Sequence, residues 1–342
     1  PYPPGEQPQD QDYLKLNTNE SPFPPSPGVA AAVAEQCGKL QLYSDPQCAG
    51  LRRALADRYG VSPANVMVGN GSDEVLDLAF CAFAGEERPL YFADLTYGFY
   101  PVFAAKNRLP YEVIPLKEDF SIDPADYFGK NGVAVIANPN APTGLALGLD
   151  DFEAILKANP DGVLIVDEAY VDFGAESAAA LLSRYDNLLV VRTFSKSRSM
   201  AGARLGFAIG CEALIADLET LRYSTNPYNV NRMTLAAGEA ALAQDDYYME
   251  NCRRIAAIRD KVAGQLEAMG WKVLPSKANF LFAAAPGMGG GAMYQALRQR
   301  GVLVRYFDAP RTRDYIRVSI GDEAQMERFM QTIKEIMKEA AQ

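Results

Sequence analysis

The chain contains no histidine among its 342 residues. That removes the commonest general base, the usual activator of a nucleophile and the commonest metal ligand. Any chemistry must therefore run on lysine, carboxylates, tyrosines or a bound cofactor, and no metal is expected. Positive charge is also scarce: 33 Lys and Arg stand against 43 Asp and Glu, a formal net charge of −10. A nucleic-acid partner would want a basic face, so that class is set aside, although a local basic pocket for a small anion is not. No apolar run approaches the ~18–20 residues of a membrane span, so no membrane partner is expected. The five cysteines are odd in number, scattered, and never spaced as CxxC. Reduced thiols and a cytoplasmic location follow as the expectation.

What is present is a long chain of ordinary globular composition, with 49% apolar and 22% charged residues. Domains peak near ~100–150 residues, so one large and one smaller domain are expected. The first 27 residues are rich in proline and polar groups and read as an extended arm. Helices are predicted near 28–39 and 47–59. From residue 66 short apolar runs ("NVMVG", "VAVIAN", "VLIVDEAY", "LLVVRTF") alternate with helical stretches. This predicts an α/β architecture with a largely parallel sheet. Near 245 the pattern changes to a long helix followed by strands and helices, which reads as an α+β domain. The boundaries expected are 1–44 for the arm and its helix, 45–250 for the large domain and 251–342 for the small one.

Five stretches can carry chemistry, and four of them end an apolar strand, where ligands sit in open α/β sheets. In "VGNGSDEVLDL" Gly69 and Gly71 allow a sharp turn, while Ser72 and Asp73 open a helix whose free N–H groups suit a phosphate. A tight turn with a good cap would look the same. In "LIVDEAY" Asp167 and Glu168 end a buried strand, where a carboxylate is costly unless paired with a cation. A structural acid paired with an arginine is equally compatible. "ANPNAPTG" is a rigid loop. In "VVRTFSKSRSMAGARLGF" Lys196 lies between two serines just past a strand. A lone lysine is usually a solvated surface charge. At a strand end facing a phosphate site it can instead be desolvated and form a Schiff base, with Arg204 offering a fork for the phosphate. In "YIRVSIG" Arg317 interrupts an alternating strand and needs an anion, from a ligand or from the protein. One cofactor class meets all of these demands together: pyridoxal phosphate, which takes a lysine Schiff base and a carboxylate partner for its ring nitrogen.

With these motifs in order, the chain resembles the fold-type I pyridoxal-phosphate aminotransferases, and most of all the histidinol-phosphate aminotransferases. The resemblance runs from "PYPPG" through "LNTNESPFPPSP", "YSDP", "GNGSDEVLDL", "TYGFY", "NPNAPTG", "VDEAYVDF" and "TFSKSRSMAGARLGF" to "VRYF" and "YIRVSIG". It implies an aspartate-aminotransferase-like fold, with a mostly parallel mixed sheet in the large domain and a smaller α+β domain. It implies that Lys196 bonds the cofactor's aldehyde, Asp167 partners the ring nitrogen, Tyr170 the ring hydroxyl, and Tyr97 stacks on the ring. Ser72, Asp73, Thr193, Ser195 and Arg204 fall in its phosphate-binding set. Tyr43 falls where a tyrosine reaches the other subunit's cofactor, which implies a homodimer with shared sites. Arg317, Arg305 and Tyr2 match positions that hold a substrate phosphate. The implied reaction is transamination between histidinol phosphate and a 2-oxo acid such as 2-oxoglutarate. A threonine-phosphate decarboxylase, an aromatic-amino-acid aminotransferase and a cofactor-binding sensor without turnover are the alternatives. Two positions depart from the family pattern. Ala141 replaces the asparagine usual before "PTG" and cannot hydrogen-bond the ring hydroxyl, so either Asn140 is its substitute or the contact is absent. Arg198 replaces an apolar residue after the lysine and is expected near the site mouth.

Overall fold

The computed structural model describes residues 1–130 and 132–340. Its centre is a seven-stranded sheet, in the spatial order Val66–Gly69, Gly206–Gly210, Leu188–Thr193, Val163–Asp167, Val133–Ala137, Leu90–Ala93, Tyr111–Ile114. Only Gly206–Gly210 runs against the rest. The central strands are buried along their whole length, as their unbroken apolar sequences require. One face packs Val75, Phe80 and Tyr100, and the other packs Phe152, Ile155 and Leu181.

A second, four-stranded antiparallel sheet joins Lys272–Val273, Phe280–Ala284, Tyr315–Ser319 and Arg305–Tyr306. Helices Asp245–Ala268, Gly290–Gln299 and Glu323–Ala340 accompany it, with Trp271, Phe329 and Ile333 in their shared core. The expected boundary after residue 250 falls inside the continuous helix Asp245–Ala268. Two helices that fall between the sheets in chain order, Glu212–Thr225 and Arg232–Ala243, were not predicted from the sequence; their apolar residues show little contrast between faces.

The arm belongs to both halves. Leu14–Lys15 pairs with Val302–Leu303, and Leu14 and Leu16 enter the core of the smaller half. Upstream, Tyr2 stacks on Phe99 of the larger half at 4.3 Å. Residues 16–20 are thereby drawn across the carboxyl ends of the central strands, where Lys196 donates to the Thr18 carbonyl at 3.0 Å.

Candidate active site

The strand ends and the loops beyond them surround a cavity of about 130 Å³ that opens to solvent. Ser72, Asp73, Tyr97, Asp167, Tyr170, Thr193, Ser195, Lys196 and Arg204 all line it. Side chains separated by up to 132 positions in sequence thus converge because four parallel strands end at one level.

One end of the cavity is a cup for an anion. Gly71 takes a left-handed φ of +79°, and a Cβ there would lie 2.7 Å from Arg204 Nη2. Gly206 lets its strand come against the same turn, since a Cβ would lie 2.3 Å from the Ser72 nitrogen. The capping position of helix Gly71–Phe83 is Asn70, not Ser72 as the sequence suggested. Its amide donates instead to the Asn229 carbonyl at 2.9 Å, so no side chain caps the first turn. Thr193 and Ser195 share a 2.9 Å hydroxyl contact. Arg204 reaches Ser195 Oγ at only 3.5 Å and Asp73 Oδ2 at 3.2 Å, which leaves donor capacity over.

The middle of the cavity holds the ionisable groups. Burial pushes the Asp167 carboxyl up to about 6, opposed by a 2.8 Å hydrogen bond from Tyr100. Its other oxygen accepts from the Ala169 N–H at 3.3 Å, and neither partner is a cation. Burial brings the Lys196 ammonium down to about 8, with nearby Arg317 acting in the same direction and Glu20 and Asp73 opposing. Tyr170 accepts from Asn19 Nδ2 at 3.0 Å, so its own proton is free to be donated. Tyr97 donates to Asp73 Oδ1 at 2.7 Å, which fixes the ring that walls the cavity. Burial, reinforced by Asp73, raises the Tyr97 phenol far out of its ordinary range, so it stays protonated.

Beyond Lys196 lies the smaller half's contribution. Arg317 sits 5.3 Å from the Phe280 ring and 5.6 Å from the Phe307 ring. It donates from Nη2 to the Asn17 carbonyl at 3.1 Å, while its buried Nε finds no partner among the described residues. Burial lowers its pKa, the signature of a cation short of counter-charge. Arg305 holds the carbonyls of Pro3 and Pro4, and Tyr2 leans on Tyr97 at 6.1 Å.

Two sequence expectations need correction. Asn140 does not line the cavity: its amide is spent on Leu95 O at 2.9 Å and Thr143 Oγ1 at 3.2 Å, and its carbonyl accepts from Thr96. Ala141 and Pro139 form that wall instead. Arg198 is not at a mouth; it is buried and bonded to Asp172 and Asp245. Tyr43, expected to serve the other subunit, lies outside this chain's own cavity, 78% exposed and stacked on Tyr228 at 4.4 Å. Two residues of the site were missed. Tyr100 is the second tyrosine of "TYGFY", and Asn19 the second asparagine of "LNTNE". Only their proximity to singled-out residues pointed to either.

A lysine brought near neutrality, an unpaired carboxylate and an anion cup at the strand ends define a transaminase-type centre. Accordingly, the family model "Aminotransferase class I and II" matches residues 11–333. Within that class the chain belongs to the histidinol-phosphate aminotransferase family. It is 48% identical over 336 residues to the histidinol-phosphate aminotransferase of Clostridium acetobutylicum, covering 98% of this chain and 96% of that protein. It is 50% identical over 339 residues to the enzyme of the same name from Marinomonas sp., covering 98% and 96%. Among solved structures, histidinol-phosphate aminotransferase from Sinorhizobium meliloti, in complex with pyridoxal-5'-phosphate, superposes with a TM-score of 0.87. That structure is 26% identical and covers 95% of this chain and 91% of its own.

Proposed function

We propose that the chain binds pyridoxal phosphate and transfers the amino group of histidinol phosphate to a 2-oxo acid, with 2-oxoglutarate as acceptor. The observation that carries the reading is a cavity that gathers Lys196, Asp167 and Arg204, with Arg317 just beyond Lys196 and short of counter-charge. Lys196, Asp167 and Arg317 are shifted by burial and costly alone, Arg204 keeps donor capacity beside Asp73, and each has a partner in this cofactor or its phosphorylated substrate.

The residues fit the cofactor. The uncapped turn at Ser72 and Asp73, with Thr193, Ser195 and Arg204, suits its phosphate. Asp167 suits a ring N–H⁺, Tyr170 a ring hydroxyl, and Tyr97 a ring face. When bound, the cofactor supplies an aldehyde for the lysine amine and a cationic ring that draws electrons from the substrate's α-carbon. Lys196, with its pKa near neutrality, takes the proton from the donor's α-carbon and returns one. Asp167 keeps the ring nitrogen protonated. Arg317 holds the donor's phosphate and then the acceptor's carboxylate, because its planar fork suits either anion. Arg305 and Tyr2 bring the arm over that subsite.

The active form is a homodimer in this reading. Leu40, Leu42, Tyr43, Tyr223 and Tyr228 are exposed, and Tyr43 stacks on Tyr228. An apolar patch of this kind suits a protein partner, here a second copy whose cavity Tyr43 would reach. Five free cysteines accord with a reducing, cytoplasmic setting. We also place the arm at 1–44, the cofactor-binding unit at 45–250 and the smaller unit at 251–342.

The test is a turnover panel with histidinol phosphate, threonine phosphate and phenylalanine, each with and without 2-oxoglutarate. The reading requires amino transfer from histidinol phosphate that depends on the oxo acid. Release of CO₂ from threonine phosphate without an acceptor, or a preference for phenylalanine, would replace it.

A further inference from the structure

The carboxylate at the heart of the cavity has one strong hydrogen-bond donor, and it comes from a residue with no surface of its own. Tyr100, at the start of helix Tyr100–Lys106, is fully buried. Its ring sits edge-on to Tyr97 at 5.6 Å and close to Phe80 and Phe92, at 6.0 Å and 5.8 Å. A phenylalanine would fill this apolar cage without a hydroxyl to satisfy. The hydroxyl that is present donates to Asp167 Oδ2 at 2.8 Å. Among the described residues Oδ1 has only the longer Ala169 N–H contact at 3.3 Å. A hydrogen bond to a carboxylate favours its charged form and fixes its rotation.

We propose that Tyr100 is a positioning residue of this site, acting through Asp167: its hydroxyl engages Oδ2 and keeps the carboxylate ionised and turned so that Oδ1 serves the cationic ring of the cofactor. This rests on the cofactor reading above. Burial alone drives Asp167 toward its neutral form, with Asp73 and Glu168 adding to that drive; Tyr100 is the largest opposing influence. The same tyrosine props the wall ring Tyr97 through its edge, a contact that phenylalanine would keep.

The test is a double-mutant cycle read as the dissociation constant for pyridoxal phosphate, from dilution of the holoenzyme followed by its visible absorbance. Tyr100→Phe should weaken binding about 10-fold, the loss typical of one hydrogen bond to a charged group. In an Asp167→Ala background the same change should alter binding less than about twofold, because the hydroxyl no longer has a carboxylate to hold. Equal loss in both backgrounds would show a packing role and overturn the proposal, as would unchanged binding in Tyr100→Phe alone. Should the phenylalanine chain not fold, Tyr100→Leu repeats the cycle, since it also lacks the hydroxyl. A parent protein that binds no pyridoxal phosphate would sink the functional reading itself, whereas a parent that binds it with an additive cycle sinks only the role of Tyr100.

Discussion

Asp167 and Glu168 are adjacent carboxylates at the end of one buried strand, yet they belong to different kinds of region. Glu168 turns away from the cavity to Arg192 at 3.1 Å, the Ser177 hydroxyl at 2.7 Å and the Ala178 N–H at 2.6 Å. From there a chain of ion pairs runs on and ends at Arg58, which meets Asp245 at 2.9 Å. Arg192 also binds Asp172 at 2.6 Å, Asp172 meets Arg198 at 3.4 Å, and Arg198 binds Asp245 at 2.6 Å. Burial opposes ionisation of Asp172, but Arg192 and Arg198 prevail and hold it well below the usual carboxylate range. Asp167 has a phenol and a long N–H contact instead, and burial pushes it up. A buried charge with its counter-charge beside it is architecture. One without is kept only where something else brings the counter-charge. The two regions lie back to back on the same strand ends. Burial pushes Glu168 up as well, against Arg192, Ser177 and the Ala178 N–H, so what separates the neighbours is the counter-charge beside Glu168.

Substitutions on each side can break or sharpen this contrast. Lys196→Ala should lower turnover by about 100- to 10,000-fold, the usual worth of a positioned proton carrier. Pyridoxal phosphate should remain bound, which dialysis followed by absorbance would check. On the paired side, Arg192→Met keeps the stem and removes the cation, leaving Glu168 buried and unpaired. Loss of one partner of a buried pair costs about 3–5 kcal/mol, measured as a lower urea midpoint with an unchanged slope. Arg317→Ala is the milder change. It removes a partly paired cation, so folding should hold, while kcat/KM for histidinol phosphate should fall about 10- to 100-fold. Unphosphorylated histidinol should scarcely notice. An intact phosphate preference would move the substrate's anchor elsewhere and favour the aromatic-aminotransferase alternative.

The α/β pattern was legible because the strands are continuous apolar runs flanked by turns, and most predicted strands fall within a residue or two of the observed ones. Lys196, Asp167 and the Ser72 turn were legible because each interrupts or ends such a run with a residue type that is costly there. What the sequence concealed was pairing. "DE" at 167 and 168 does not say which acid an arginine will neutralise, and "SKSRS" does not say that Arg198 turns inward while Lys196 turns to the cavity. Tyr100 and Asn19 were hidden for the same reason, since their value lies in partners 67 and 151 positions away. Asn140 misled because proximity in the loop was read as shared direction. Its amide is instead consumed by Leu95 and Thr143.

The most direct measurement is the unfolding free energy of the parent and of Asp167→Asn, each without and with saturating pyridoxal phosphate. A carboxyl whose pKa rises from 3.8 to about 6 on folding contributes stability below the lower value that is lost as pH climbs through the upper one. Without cofactor, Asp167→Asn should therefore be the more stable chain at pH 7, by about 1–3 kcal/mol, with the gap closing toward pH 4. With cofactor the order should reverse, because the parent binds more tightly and gains more stability from ligand. An asparagine chain that is less stable without cofactor, or two chains that gain equally from it, would contradict the account.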